Sequence, residues 1–142
     1  MGYLDQYGEA EARQERLELL LKRTLLTLVI VSALAGFLYL WFKNYKEEGR
    51  VKQFLVTLER GDYPAAYAFW GCRVEAPCPN YDFKSFLEDW GPAGPVGKLR
   101  SYRFVRSRER GSGVIVTIEA NNQPEIKIWV EKKNGALGFS PF

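Results

Sequence analysis

Residue types that commonly carry chemistry are scarce in this chain of 142 residues. It contains no histidine, the commonest general base and metal ligand, and therefore no histidine ligand for haem. Two cysteines without further ligands do not make a zinc site. The carboxylates of the segment FKSFLEDW, Glu88 and Asp89, are expected beside its aromatic face rather than within it. We therefore predict no catalytic residue, no metal site and no bound cofactor.

The two cysteines are the next candidates. Cys72 and Cys78 enclose five residues of the loop-like segment GCRVEAPCPN, which Pro77 and Pro79 keep out of regular structure. Such a pair can close a small ring, and the loop entropy would then stabilise the fold by about 2 kcal/mol. We expect a disulfide, with two free thiols as the alternative. Because disulfides persist in oxidising compartments, a disulfide favours a location outside the cytoplasm for this part of the chain.

A basic segment is the third candidate. Between residues 98 and 110 one acidic residue, Glu109, stands against six cations: Lys98, Arg100, Arg103, Arg106, Arg108 and Arg110. One interpretation is a solvated strand edge, since charges there discourage unwanted strand pairing. The other is a dock for an acidic protein or for anionic lipid headgroups. Nucleic acid is not expected, because the net charge of the chain is only +3.

The chain is organised around an apolar stretch, TLLTLVIVSALAGFLYLWF, at residues 24–42, and the candidate residues all follow it. It holds no charged residue, and at about 1.5 Å per residue it spans roughly 28 Å, close to the hydrocarbon thickness of a bilayer. A core helix of a soluble protein would carry a polar stripe. We predict a single transmembrane helix, with Tyr39, Trp41 and Phe42 at the membrane interface.

The segments on either side complete the domain organisation. Residues 1–23 are rich in helix formers and predict a helical arm that runs into the membrane helix. Residues 43–48 form a juxtamembrane linker, and residues 49–142 form one domain. Basic residues flank both ends of the apolar stretch, so the positive-inside rule hardly separates the two orientations. The expected disulfide favours an uncleaved signal anchor with a cytoplasmic N-terminus and a domain outside the cytoplasm.

The domain is predicted to be α+β. Apolar residues at helical spacing indicate three helices, and Asp62 and Asp82 are the expected N-caps of the second and third. After the segment GPAGPVG the period changes to two, which indicates three or four antiparallel strands. The strands are expected near residues 99–108, 114–119, 126–130 and 137–142, with inward side chains Val114, Val116, Ile118, Ile126, Ile128 and Val130.

Two stretches, FLVTLERGDYPAAYAFW and GSGVIVTIEA with IKIWVEKKNGALGFSP, resemble the nuclear transport factor 2-like, or cystatin-like, family. The resemblance covers about residues 49–142. The chain is similar in particular to membrane-anchored bacterial proteins with such a domain, which implies a bacterial inner membrane and a periplasmic domain. The resemblance implies a cone, in which a bent sheet wraps around three helices and leaves a hydrophobic cavity. Some members are isomerases or dehydratases, many bind a ligand, and many only contact other proteins. The resemblance therefore does not decide the function.

The outward faces of the strands carry the predicted docking surface. If the aliphatic side chains point inward, five residues gather on the other face: Arg103, Val105, Ile115, Lys127 and Trp129. Placing Tyr102 and Phe104 inward would also send Arg106 and Arg108 inward, unless the strand ends or bulges. A tryptophan with arginine in an apolar patch is typical of binding hot spots.

The function expected from these features is that of a non-enzymatic accessory subunit of a larger membrane complex, of which a photosynthetic or respiratory assembly is one example. It would contact the bilayer and other membrane subunits, and a homodimer through the sheet is an alternative. Two other hypotheses are a small-molecule-binding module and an isomerase-like or dehydratase-like enzyme. For a binding module, six aromatic side chains would line a pocket instead of forming a core: Tyr63, Tyr67, Trp70, Phe83, Phe86 and Trp90.

Within the apolar stretch, Ser32 and Gly36 are four residues apart on one helix face, a spacing that lets another helix approach closely. We predict that this face packs against another subunit. Gly36→Leu adds bulk without polarity, so it should weaken assembly while membrane insertion is retained. Size analysis after gentle detergent extraction measures this, with Val31→Leu as the control, because position 31 lies about 140° around the helix from Gly36. An unchanged complex would show that the Gly36 face meets lipid.

Overall fold

The structure is a computed structural model that describes residues 2–142, with residues 3–6 described by their backbone alone. It divides into two compact units, one ending at Lys43 and the other formed by Asn44–Phe142. The fold is α+β: a long apolar N-terminal helix is followed by three further helices and a four-stranded antiparallel sheet.

Helix α1 runs without interruption over Tyr3–Phe42, so the arm and the apolar stretch are one helix. Lys22 lies 3.9 Å from Glu18 one turn earlier, the favourable order for such a pair. Thr27 donates its hydroxyl to the Arg23 carbonyl over 2.8 Å, so its hydroxyl keeps a partner within the helix. The helix is long and apolar enough to cross a membrane, and none of that apolar window is buried.

Helix α2, Tyr45–Glu59, begins inside the segment predicted as a linker, which leaves only residues 43–44 between the two helices. The physical reason is that Glu47 and Glu48 lie in its first turn, where negative charge stabilises a helix. Its buried face is the one predicted from the spacing of apolar residues: Val51, Phe54, Leu55 and Leu58.

Two short helices follow, each opened by an aspartate. Asp62 accepts a hydrogen bond from the Ala65 amide over 3.2 Å at the start of α3, Tyr63–Ala68. Asp82 accepts from the Ser85 amide over 2.8 Å at the start of α4, Phe83–Trp90, and this bond lowers the pKa of the Asp82 carboxyl. Both caps satisfy amides that a helix start leaves without an intrahelical partner.

The sheet has the order β1-β2-β3-β4, with every neighbouring pair antiparallel. The strands are β1, Tyr102–Arg110; β2, Gly113–Ala120; β3, Ile126–Glu131; and β4, Leu137–Phe139. Strand β1 starts and ends later than expected, and β4 stops at Phe139 instead of continuing to Phe142. Helix α2 packs against β2 and β3 on the inner face, where the predicted aliphatic side chains are buried, except that Ile126 is half-buried.

The aromatic side chains of α3 and α4 join this core. Tyr67 and Phe86 are fully buried, and Trp70 and Trp90 are nearly so. Phe54 of α2 makes edge-to-face contacts with Phe86 and Trp90, at ring distances of 6.3 and 5.1 Å. The aromatic residues therefore pack on one another as core instead of lining an empty cavity.

Cys72 and Cys78 form a disulfide with their Cα atoms 5.3 Å apart. The Tyr67 hydroxyl holds this loop from inside the core. It donates to the Tyr81 carbonyl over 2.5 Å and accepts from the Cys78 amide over 3.3 Å. The ring and the hydroxyl together fix the chain between α3 and α4.

Asn121 fixes where β1 begins. Its φ of 50° is in the left-handed region, which asparagine tolerates better than most residues. Its side-chain oxygen accepts from the Arg100 and Ser101 amides at 2.8 and 3.1 Å. Its side-chain nitrogen donates to the Val96 and Lys98 carbonyls at 3.0 and 2.8 Å. These bonds hold residues 96–101 as a loop, which explains why the strand starts later than predicted.

Asn121→Ala should lower the free energy of unfolding by about 2 kcal/mol more than Asn122→Ala, because it leaves the amides and carbonyls of the loop without partners. Asn122 is the matched control, since its φ of 57° imposes the same backbone strain on alanine. Denaturant unfolding of the full chain in detergent measures the difference. Equal losses would mean that the side-chain bonds of Asn121 contribute nothing.

Candidate functional site

A β-bulge in β1 creates the candidate site. Phe104 pairs with Ile118, but Arg106 pairs with Thr117, so Val105 is an extra residue without a partner in β2. Because successive side chains in a strand point to opposite faces, the extra residue reverses the faces of all later positions. Arg106, Arg108 and Arg110 therefore lie on the outer face of the sheet, the face opposite α2.

These three residues, the arginine column, are joined by further residues in register. The rows across the sheet are Arg106–Thr117–Lys127, Arg108–Ile115–Trp129 and Arg110–Gly113–Glu131, with Arg103–Glu119 before them. Arg103 is neutralised by Glu119 at 2.6 Å, an interaction that also raises the pKa of Arg103. These rows define the outer face.

The charges of the arginine column are only partly compensated. Arg106 lies 3.8 Å from Glu125, in an exposed pair that contributes little. Arg110 stacks over the Phe142 ring at 5.4 Å. Within residues 2–142, Arg108 and Lys127 have no acidic partner. The middle of the outer face is therefore a patch of positive charge.

Trp129 supplies an aromatic surface beside this charge. Its indole lies directly over Gly113, where a Cβ would come within 2.4 Å of a ring carbon, so only glycine fits beneath it. The ring of Phe142 lies nearby, with ring centroids 6.3 Å apart. Trp129 is half-buried and lies outside the hydrophobic core.

A small cavity of about 80 Å³ opens between the charged side chains. Its lining consists of Arg106, Arg108, Arg110, Ile115, Thr117, Lys127 and Phe142. Thr117 is 2% exposed, and its hydroxyl makes no hydrogen bond within the described part of the chain. Thr117 lies in the wall of this cationic cavity, where its hydroxyl can donate a hydrogen bond to an oxygen of a ligand. We call this space the Thr117 cavity.

The predicted docking residues are only partly brought together. Lys127 and Trp129 share the outer face with Arg103, but Arg103 lies at its far end and is paired. Ile115 belongs to this face yet is 8% exposed, because the long side chains around it cover it. Val105, expected beside Arg103, is instead the bulge residue. Arg106 and Arg108 avoid the inner face because β1 bulges, one of the two conditions under which they were not expected to point inward.

The remaining sequence candidates are spread over the chain. Ser32 and Gly36 are exposed on α1, and a Cβ at Gly36 would meet nothing within 4 Å. Glu88 is exposed and lies 4.0 Å from Lys84. Asp89, expected beside the aromatic face, instead accepts a hydrogen bond from the Tyr81 hydroxyl over 2.9 Å.

The Tyr81–Asp89 pair was missed because Tyr81 comes from the loop before α4. Burial, then the bond to Asp89, raises the pKa of the Tyr81 hydroxyl far above its usual range. The phenol therefore stays protonated and acts as a structural donor. A stable hydrogen-bonded pair with a strongly raised tyrosine pKa is poorly suited to proton transfer near neutral pH.

A second, open groove of about 900 Å³ lies elsewhere in the domain. The half-buried rings of Tyr102 and Phe104 meet edge-to-face at 6.0 Å on one side, and the first turns of α2 form the other. Its volume is that of a small-molecule site, but it is open, and its charged side chains include the opposite charges of Lys46 and Glu48.

Comparison of the chain with protein-family models, with curated proteins and with solved structures finds no match. The resemblance to the nuclear transport factor 2-like family accordingly stays a prediction. No group of three or more potential metal-binding side chains occurs in the part of the chain that the structure describes.

Thr117→Val should raise the free energy of unfolding by about 1 kcal/mol. The substitution keeps the branched shape that strands favour and removes the hydroxyl of a residue that is 2% exposed, where that hydroxyl makes no hydrogen bond to residues 2–142. Denaturant unfolding of the full chain checks this, with Thr57→Val as the control, because the Thr57 hydroxyl already donates to the Gln53 carbonyl over 2.8 Å. A destabilised Thr117→Val protein would mean that the hydroxyl has a partner in solution.

Proposed function

We propose that this chain is a non-enzymatic, single-pass accessory subunit of a larger membrane protein complex. The observation that carries the proposal is the outer face, where an exposed cationic column lies beside a half-buried tryptophan and no helix of the domain covers them. A soluble surface rarely combines these features, whereas the centre of a protein interface often does.

The occupant of this face is, on this proposal, an acidic surface of another subunit. Charge complementarity supports it, because Arg108 and Lys127 lack acidic partners in residues 2–142. A second copy of the chain fits less well, since two such faces would bring their arginine columns together. Like charges opposed across an interface cost binding free energy.

The apolar helix supports membrane anchoring. We infer that residues 24–42 cross the membrane and that the N-terminus is cytoplasmic. The disulfide between Cys72 and Cys78 supports an extracytoplasmic domain, because a disulfide persists in an oxidising compartment. The cone of the nuclear transport factor 2-like family remains part of this proposal, supported by the order of three helices and four antiparallel strands.

Catalysis is not part of the proposal. Among the described residues, the Tyr81–Asp89 pair would be the geometry to support it, but the two side chains are hydrogen-bonded to each other. The alternative of small-molecule binding would use the groove at Tyr102 and Phe104, since the aromatic core is filled by its own side chains.

Trp129→Ala tests the proposed function. It should weaken partner binding by about 2 kcal/mol or more, as expected for a hot-spot tryptophan. The native complex, extracted in mild detergent, is measured by size analysis and subunit content. Val74→Ala is the control, because Val74 is an exposed apolar side chain of the disulfide loop, which contributes no strand to the sheet.

Thermal unfolding of the isolated Trp129→Ala chain must accompany this measurement. A complex that retains its size and composition despite the substitution would show that the outer face is not the docking surface.

A further inference from the structure

We propose that the outer face recognises an extended acidic segment whose carboxylates occur at every second residue, with one carboxylate entering the Thr117 cavity. This inference rests on the proposed function and names the chemistry of the partner. It uses the arginine column, the cavity and the unpartnered hydroxyl of Thr117.

The spacing of the arginine column matches that of alternate residues in an extended peptide. After the bulge, Arg106, Arg108 and Arg110 are alternate residues of one strand, so their Cα atoms repeat at about 6.6–6.8 Å. Alternate residues of an extended peptide repeat at the same distance. Acidic residues at positions one, three and five of such a segment would therefore meet the three arginines in step, while consecutive acidic residues would point to opposite sides.

The Thr117 cavity is small and lined by cationic side chains. Its volume of about 80 Å³ is far below the roughly 300–1,000 Å³ of a drug-sized site, so it suits a single small group. Guanidinium groups bind carboxylates through paired hydrogen bonds. Lys127 adds a fourth cation to the three arginines that line the cavity. Thr117 also lines the cavity, and its hydroxyl can donate a hydrogen bond to the same carboxylate.

An acidic partner would compete with Glu125 of the chain itself for the arginine column. Glu125 contacts Arg106 at 3.8 Å, but it is 44% exposed and lies before β3, at one end of the arginine column. Arg108 remains without an acidic partner in the described chain. An incoming segment would therefore replace one weak surface pair and gain new charge-assisted bonds.

The experiment measures binding of two labelled pentapeptides to the full chain in nanodiscs of zwitterionic lipid, by fluorescence anisotropy. One peptide has the order Glu-Ala-Glu-Ala-Glu and the other Ala-Glu-Glu-Glu-Ala, with the same composition and charge. The alternating peptide should bind about fivefold more tightly or better, a difference expected from one additional well-formed hydrogen-bonded pair. Equal affinities would overturn the inference.

Variants separate the cavity from general attraction. Arg108→Gln and Thr117→Val should each weaken the alternating peptide by about fivefold. Arg60→Gln is the control, because it removes the same charge from an exposed position at the end of α2. A similar loss with Arg60→Gln would show diffuse electrostatics only. Displacement of the peptide by anionic lipid in an Arg108-dependent manner would assign the face to headgroups instead, and would also overturn the inference.

The inference and the proposed function can fail separately. If Trp129→Ala breaks the native complex while Arg108→Gln and Thr117→Val leave it intact, the docking face is supported. The proposed recognition of carboxylates at every second residue, here called the acidic register, is then wrong. If the peptides and variants behave as expected but Trp129→Ala leaves the complex intact, the acidic register stands and the accessory-subunit docking is wrong.

Discussion

The constraint on which the outer face depends is the two-residue period of a β-strand. One extra residue at Val105 reverses the orientation of everything after it in β1. Before the bulge, Phe104 faces the helices; after it, Arg106 faces away from them. Without the bulge, Arg106 and Arg108 would point toward the core, where an unpaired charge is very costly to bury. The bulge thus lets one strand supply an aromatic wall at one end and a cationic surface at the other.

The position of the bulge is held from both sides. The Asn121 side chain bonds to the loop before β1, and Asn121 itself is in the left-handed conformation that ends β2. At the other side of the bulge, Ser107 returns to the inner face and donates to Glu48 of α2 over 2.5 Å. Lys132, just after β3, pairs with Glu109 of β1. The inner positions of β1 are therefore tied to their neighbours, which keeps the arginine column on the outer face.

The outer face also shows how a strand can be buried on both sides without a second layer of helices. Ile115 and Thr117 are covered by arginine stems, by Trp129 in the neighbouring row and by Phe142. Long cationic side chains bury their methylene groups while their heads remain in water. Gly113 makes the arrangement possible at one end, since a larger residue would displace the indole. The cost is a set of like charges held close together, which an acidic partner would relieve.

The sequence by itself determined what depends on local chemistry. An uninterrupted apolar stretch fixes an exposed apolar helix, two aspartates fix helix starts, and the alternation from Val114 to Ile118 fixes the inner face of β2. Apolar spacing likewise indicated the buried face of α2. The arginines after Val105 raised a bulge or a strand end as alternatives, but the tertiary structure decided between them and thereby which outer residues meet. It also decided that Ile115 and Thr117 are covered and that Asp89 reaches Tyr81, since these contacts join residues from elements distant in the chain, whose alignment depends on register and packing.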